Sequence, residues 1–329
     1  MNEINVNNKV KLSKFKAVSQ NYRSELGVGV ALLFFFIVIA IIAPNFVSGT
    51  NLTNVMSQIS IIGILAIGQH FVIITGGIDL SVGNLLGLSS MMMALVMSTT
   101  QNMFLGIIAA FATGAVVGFI NGALISLVGL PPFIATLGLM TISRSVDYLI
   151  CNGRAITNLV PGFGDITSAS VVGAIRIYYV AIIILFFVMS WVLSNTKFGR
   201  YLYAIGSNEN AARIAGVNTR KTKIMAYVTS GLMAALGGIL LASKLESVDP
   251  NYGVNYEMDT IAAVVIGGGL MTGGKGTILG TAIGVIFMGI IKNGLDIIGV
   301  SPYWQGFAVG IIIILALIIE RVTNIKQKN

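Results

Sequence analysis

Ten stretches of about 20 mostly apolar residues constrain this chain more than any other feature, because a helix of that length spans the hydrocarbon core of a bilayer. They lie near 27–47, 54–74, 79–99, 103–128, 131–151, 177–195, 222–243, 257–270, 277–298 and 303–320, the eighth being the shortest. Of the 329 residues, 55% are hydrophobic and only 10% are charged. Soluble domains carry about 25% charged residues, so this chain lacks the polar residues to cover a water-facing surface. The fold expected is all-α: a polytopic membrane protein of about ten transmembrane helices, some broken or short at Gly-rich turns, with residues 1–329 forming one transmembrane domain. The first 26 residues are polar and basic, and the apolar run after them has no small-residue cleavage site. That run is expected to be a retained first helix rather than a signal peptide.

Lys and Arg give the orientation. Lys9, Lys11, Lys14, Lys16 and Arg23 precede the first span, Lys197, Arg200, Arg213, Arg220, Lys221 and Lys223 lie in the stretch 196–223 from the end of the sixth span to the start of the seventh, and Arg321, Lys326 and Lys328 follow the last. With ten spans all three groups fall on one side, which the positive-inside rule makes the cytoplasm. Both termini, 1–26 and 321–329, are therefore expected inside, as is the polar stretch 196–221. The net charge of +8 reads as basic cytoplasmic loops rather than as a nucleic-acid surface.

Between the second and third spans the chain reads Ile74-Thr75-Gly76-Gly77-Ile78-Asp79-Leu80-Ser81-Val82-Gly83. Gly76 and Gly77 suit the left-handed backbone that ends a helix, and Asp79 suits the start of the next, where freed N–H groups and the helix dipole favour a carboxylate. The turn is expected at the cytoplasmic edge, where a charge costs less than at the bilayer centre. The alternative is that it re-enters the membrane and that Gly76, Gly77, Asp79, Ser81 and Gly83 line a pathway. "FVIITGGIDLSVGNLLGLSS" is weakly echoed by "AVVIGGGLMTGGKGTILGTAIG", and paired glycine-interrupted segments point to transporter repeats.

Other polar residues read as structural. Arg144 and Asp147, three apart, and Lys292 and Asp296, four apart, share a helix face and are expected to pair. "GLMTGGKGT" (269–277) approaches a phosphate loop, but Gly276 stands where Ser or Thr would hold magnesium and no strand precedes it. A flexible turn is expected there. His70 is the only histidine, so no His-based metal cluster or Ser-His-Asp triad can form; it is read as a packed helix residue. Cys151 and Met91 to Met93 are read as packing. No metal or cofactor is expected, and nothing argues for an enzyme.

The richest polar segment, "TKFGRYLYAIGSNENAARIAGVNTRK" (196–221), carries its own cap signals. Ser207 or Asn208 can start a short helix and Gly216 can end it. A compact ordered element there suggests docking to a partner.

"TGGIDLSVG", "PPFIATLGLM", "FGRYLYAIGSNENAARIAGVN", "YEMDTIAAVVIGGG" and "GGKGTILGT" resemble, in order and from about residue 27 to 320, the permease subunits of ribose-type (ribose, xylose, galactoside) sugar ABC importers. The resemblance implies a bacterial plasma-membrane subunit working as a pair of copies, with cytoplasmic ATP-binding subunits and an extracytoplasmic sugar-binding protein. It also implies that 196–221 holds the ATPase-coupling loop. Glu209, Asn210, Ala211, Ala212, Arg213 and Gly216 follow the Glu-Ala-Ala-x-x-x-Gly pattern, except that Asn210 occupies the Glu position and the acid stands one residue earlier. The cargo stays open between ribose, another sugar, a furanose-like signalling molecule and a nucleoside. An ion-coupled secondary carrier is the rival mechanism; it would need no coupling loop.

Overall fold

The computed structural model describes residues 23–326, and the basic N-terminal tail lies almost wholly outside them. The chain starts with α1 (Arg23–Ile42), turns through a 3-10 segment at Pro44–Val47, and continues as α2 (Gly49–Ile74), α3 (Val82–Thr100), α4 (Met103–Ala123) and α5 (Pro132–Cys151). A π-turn at Leu124–Val128 prolongs α4. Residues 152–176 hold the one-turn α6 (Asp165–Ser168) and a small antiparallel hairpin, β1 (Ser170–Val172) and β2 (Ile175–Arg176), with Ser170 opposite Arg176. Then follow α7 (Ile177–Asn195), α8 (Lys197–Ser207), α9 (Glu209–Ile214), α10 (Thr219–Leu245), α11 (Tyr256–Ile266), α12 (Ile278–Ile297) and α13 (Pro302–Lys326).

Each of the ten apolar stretches coincides with a helix. Seven are long and apolar enough to cross a bilayer: α2, α3, α4 with its π-turn, α5, α7, α10 and α12. Helices α1 and α13 contain shorter apolar runs, Gly27–Ile42 and Tyr303–Leu315. The layering follows from burial. Helix α2 is buried all round from Ser60 to Ile74, as a helix in the centre of a bundle must be. Helices α4, α5 and α7 turn apolar side chains outward, among them Phe119, Leu149 and Phe187, where lipid replaces water.

Glycines set how closely the helices approach. Gly114, Gly118 and Gly122 recur every fourth residue on α4 and run antiparallel along Gly231, Tyr227 and Ile224 of α10. A Cβ at Gly114 would stand 2.3 Å from the Gly231 carbonyl oxygen, and one at Gly118 would stand 2.4 Å from that of Tyr227. Lipid tails are as apolar as the helix surfaces, so backbone-to-backbone packing of this kind is what joins the two helices.

Two expectations need correction. The eighth stretch, 257–270, is not a full span: α11 has 11 residues, about 16 Å of helix at 1.5 Å per residue. It stops at Gly267 because Gly268 takes φ +87° and the chain turns through Gly269. The two same-helix ion pairs are also absent. Lys292 bonds Asp259 on α11 at 2.5 Å, while Asp296 accepts from Gln305 Nε2 at 2.6 Å. Arg144 faces outward and Asp147 inward. A neighbouring helix offers Lys292 a buried partner that its own helix cannot.

Candidate functional site

The polar segment between α7 and α10 folds as its cap signals require. Asn208 accepts from the Ala211 N–H at 3.0 Å and starts α9. The helix ends with Gly216 at φ +84°, where the Gly216 N–H donates to Arg213 C=O and the Val217 N–H to Ala212 C=O, each at 3.0 Å. This paired closure is the Schellman motif, which the left-handed glycine permits. Glu209 bonds Lys223 in the first turn of α10 at 2.6 Å, and Arg213 donates to Asn210 Oδ1 at 2.9 Å. Ala212 is buried under the helix and Ala211 is exposed. Ile214, 87% exposed, projects from a polar surface. Sequence reasoning passed over Ile214, although a large apolar residue in a polar run was the available signal.

Helix α8, just before this element, is wedged into the bundle. A Cβ at Gly206 would stand 1.8 Å from the Ile74 carbonyl oxygen and 2.4 Å from the Gly274 nitrogen. The Gly274 N–H itself donates to that Ile74 oxygen at 2.9 Å, and a Cβ at Gly273 would stand 2.7 Å from the Gly76 nitrogen. Tyr203 adds a hydrogen bond from its hydroxyl to the Gly276 carbonyl at 2.6 Å, and burial pushes its phenol above the usual range. The two glycine-rich turns that echo each other in sequence, 74–77 and 273–276, thus meet under α8. The run 269–277 is a packed joint rather than a flexible turn. Gly206 and Tyr203 were not singled out from sequence, because only the folded chain shows which backbone they touch.

From this joint the chain doubles back into the bundle. Asp79 is fully buried. Its Oδ1 accepts from the Ser81 N–H at 3.0 Å and the Ser81 hydroxyl at 2.6 Å, and its Oδ2 accepts from the Ser230 hydroxyl at 2.7 Å. The Gln69 amide, with its nitrogen towards the carbonyl, donates to Asp79 C=O at 3.0 Å and accepts from Asp79 N–H at 3.2 Å. Asn121 on α4 donates to Ser81 Oγ at 2.8 Å. Ser230 lies eleven residues into α10, about 16 Å along its axis, so Asp79 is not at the edge where the sequence reading placed it. The Ser81 bond shows a turn-closing carboxylate, but one carried deep inside. The cause is the non-helical stretch 75–81, whose Gly77 leaves room for the Tyr227 hydroxyl, 2.5 Å from where a Cβ would stand.

Helix α3 therefore begins inside the bundle. Its Gly83 packs on Gly253, just ahead of α11, with the Gly253 oxygen 2.3 Å from the site of a Cβ. The N-terminal end of the short helix α11 thus meets that of α3 inside the bundle, and helix ends brought together inside a bundle are a feature of transporter substrate sites. His70 is buried against Thr281, whose hydroxyl lies 2.8 Å from Nδ1. Cys151, Met91 and Met93 pack in one core cluster.

Comparison with known proteins agrees with this architecture. Residues 51–317 match the family described as branched-chain amino acid transport system / permease component. The ribose import permease protein RbsC of Bacillus subtilis (strain 168) is 42% identical over 304 residues, covering 90% of this chain and 92% of that protein. RbsC of Escherichia coli (strain K12) is 38% identical over 303 residues, covering 91% and 93%. The galactose/methyl galactoside import permease protein MglC of Escherichia coli (strain K12) is 37% identical over 327 residues, covering 93% and 97%. No solved structure matches. A helical bundle with broken inner helices, matched over nearly its full length by these proteins, belongs to the branched-chain amino acid transport system permease family, on its ribose-type sugar ABC permease branch.

Proposed function

We propose that the chain is the membrane-spanning subunit of an ATP-driven importer for a simple sugar, with ribose or a related monosaccharide as cargo. ATP is hydrolysed on a separate ATP-binding subunit docked at residues 207–218 on the cytoplasmic face. An extracytoplasmic binding protein delivers the sugar on the opposite face, and two copies of the chain form the working pair in a bacterial inner membrane with both termini inside. The named cargo of the relatives, ribose and galactosides, supports the sugar reading.

One observation carries the coupling assignment. Ile214, 87% exposed, tops a short helix that is capped at both ends and tied to α10 by Glu209 and Lys223. An exposed large apolar side chain held on a rigid element is the form of an interface anchor. The exposed Ala211 beside it allows close approach. Helix α8 links this anchor to the glycine joint at 74–77 and 273–276, so a push on α9 reaches the turns that lead into α3 and α12.

The test is Ile214→Glu. The chain should still insert and fold, because Ile214 makes no core contact, while affinity for the ATP-binding subunit should fall about thirtyfold or more, as for an anchor contributing 2 kcal/mol. Copurification of the ATP-binding subunit and sugar uptake in vesicles are the readouts. Normal assembly with full uptake would remove 207–218 from the interface. Gly216 is a poorer probe, since φ +84° makes any side chain there strain the turn before it meets a partner.

A further inference from the structure

Two carboxyl groups inside the bundle each leave one oxygen unpartnered, unlike the other buried acids, and the Arg144 charge acts on Glu257 only from beyond ion-pair distance. Asp147 on α5 and Glu257 in the first turn of α11 are 1% and 3% exposed, and neither forms an ion pair among the described residues. Asp147 Oδ1 and Glu257 Oε2 have no hydrogen-bond partner at all. Asp259, two residues further on, is paired with Lys292, and Asp79 is held by Ser81 and Ser230. Leaving a buried acceptor unmade is costly, more so if it is charged. Such an orphan calls for an explanation in function.

Both groups reach the start of α3. Glu257 Oε2 lies 2.5 Å from where a Cβ would stand on Gly83, and Asp147 Oδ2 lies 2.9 Å from where one would stand on Gly87. These glycines are one turn apart, so the two carboxyls approach the helix at points roughly 6 Å apart. The depth is set by α10: a Cβ on its Gly238 would stand 2.6 Å from the Leu86 carbonyl oxygen. Gly238 is seven residues from the end of α10, about 10 Å along its axis. The outward face of α5 carries a polar stripe beside Asp147. Thr141, Arg144, Ser145 and Tyr148 are all exposed there, at spacings of three and four. Thr141 and Ser145 spend their hydroxyls on α5 carbonyls, but the charge of Arg144 is costly against lipid and favours a water-filled cavity or another subunit on this face.

The free groups are acceptors, so the missing ligand brings donors. A metal ion fits poorly, because no third His, Cys, Asp or Glu joins the pair among the described residues. A sugar fits well, since its neighbouring hydroxyls can donate to both carboxyl oxygens at once. We propose that Asp147 and Glu257 form a station for a neutral polyhydroxylated ligand, the transported monosaccharide, where α3, α5 and α11 converge. This rests on the importer reading above and adds the residues that hold the cargo.

The test uses the permease reconstituted with its ATP-binding subunit and binding protein, and labelled D-ribose and methyl galactoside as probes. The quantity read is sugar moved per ATP hydrolysed. Asp147→Asn and Glu257→Gln each remove one acceptor, and each should lower that ratio about tenfold for at least one probe, the loss expected for a hydrogen bond to a charged group. If an amide variant fails to fold, Asp147→Glu or Glu257→Asp replaces it, moving the carboxyl by one methylene, and should lower the ratio as well. An unchanged ratio in folded, assembled variants at both positions overturns the station and leaves the importer reading standing. Transport by the wild-type complex of a cationic solute, and of neither sugar, also overturns it. Failure of the wild-type chain to assemble with any ATP-binding subunit overturns the importer reading itself.

Discussion

Single atoms decide the two most constrained positions. At Gly206 one added carbon would enter the space of the Ile74 carbonyl oxygen, 1.8 Å away, and backbone cannot step aside as a side-chain tip can. Gly206→Ala should therefore cost about 1–3 kcal/mol of stability, the range for overpacking, and should weaken the seat of α8. A melt of the purified protein in detergent measures this, and a wild-type transition would mean that α8 is not seated on Ile74. Asp79 is constrained by hydrogen bonds instead. Asp79→Asn keeps one carbonyl oxygen for Ser81 and turns an amide NH2 to the Ser230 hydroxyl, which can rotate to accept it. It should retain most of the transport. Asp79→Leu strands the Ser81 N–H and two hydroxyls, at about 1–3 kcal/mol for each buried group left unmade, and should sharply lower the yield of folded protein. If the Asn variant folds fully yet transports nothing, the carboxyl charge itself is needed.

Among the elements, the α4–α10 seam is the most exacting. Three glycines at fourfold spacing let two backbones touch, so no side chain fits at Gly114, Gly118 or Gly122. Gly118→Leu should separate the helices and give a chain that inserts but migrates as an expanded or aggregated species on size exclusion; a wild-type profile would contradict close packing there. The spacing of Gly114, Gly118 and Gly122 was present in the sequence. What it faced was not, since the partner glycine Gly231 is more than a hundred residues away. The caps of α9 were the opposite case. Asn208 and Gly216 sit within a few residues of the groups they satisfy, so their roles were readable without any tertiary information. Asn208→Ala should cost about 1 kcal/mol, the usual loss of a helix cap, seen as faster amide exchange in 209–214.

At the scale of the whole molecule, the structure has two ends, and the proposed function needs them on opposite sides of the membrane. Val172, exposed in the β1–β2 hairpin, and Asn210, exposed on α9, report on them. With Cys151 replaced, Val172→Cys should react with an impermeant thiol reagent added to intact cells. Asn210→Cys should react only after the inner face is opened. The reverse pattern would invert the orientation drawn from Lys and Arg and take the coupling assignment with it.

By itself the sequence determined what a short window of chain can settle: which stretches are apolar enough to be helices, where glycine ends them, and how α9 is capped. Local composition and backbone preference suffice for these because the interacting groups are close along the chain. It did not reveal that 257–266 is half a span or that Asp79 sits deep beside Ser230. Nor did it reveal that Lys292 chooses Asp259 over Asp296, or that Asp147 and Glu257 come to the same end of α3. Apolarity is the same signal for a complete span and for a broken helix wrapped in other helices. Charge spacing reports neighbours on one helix and is silent about carboxylates on the next. Only the folded bundle decided those pairings, because the close glycine contacts that set helix depth and register join residues far apart in sequence.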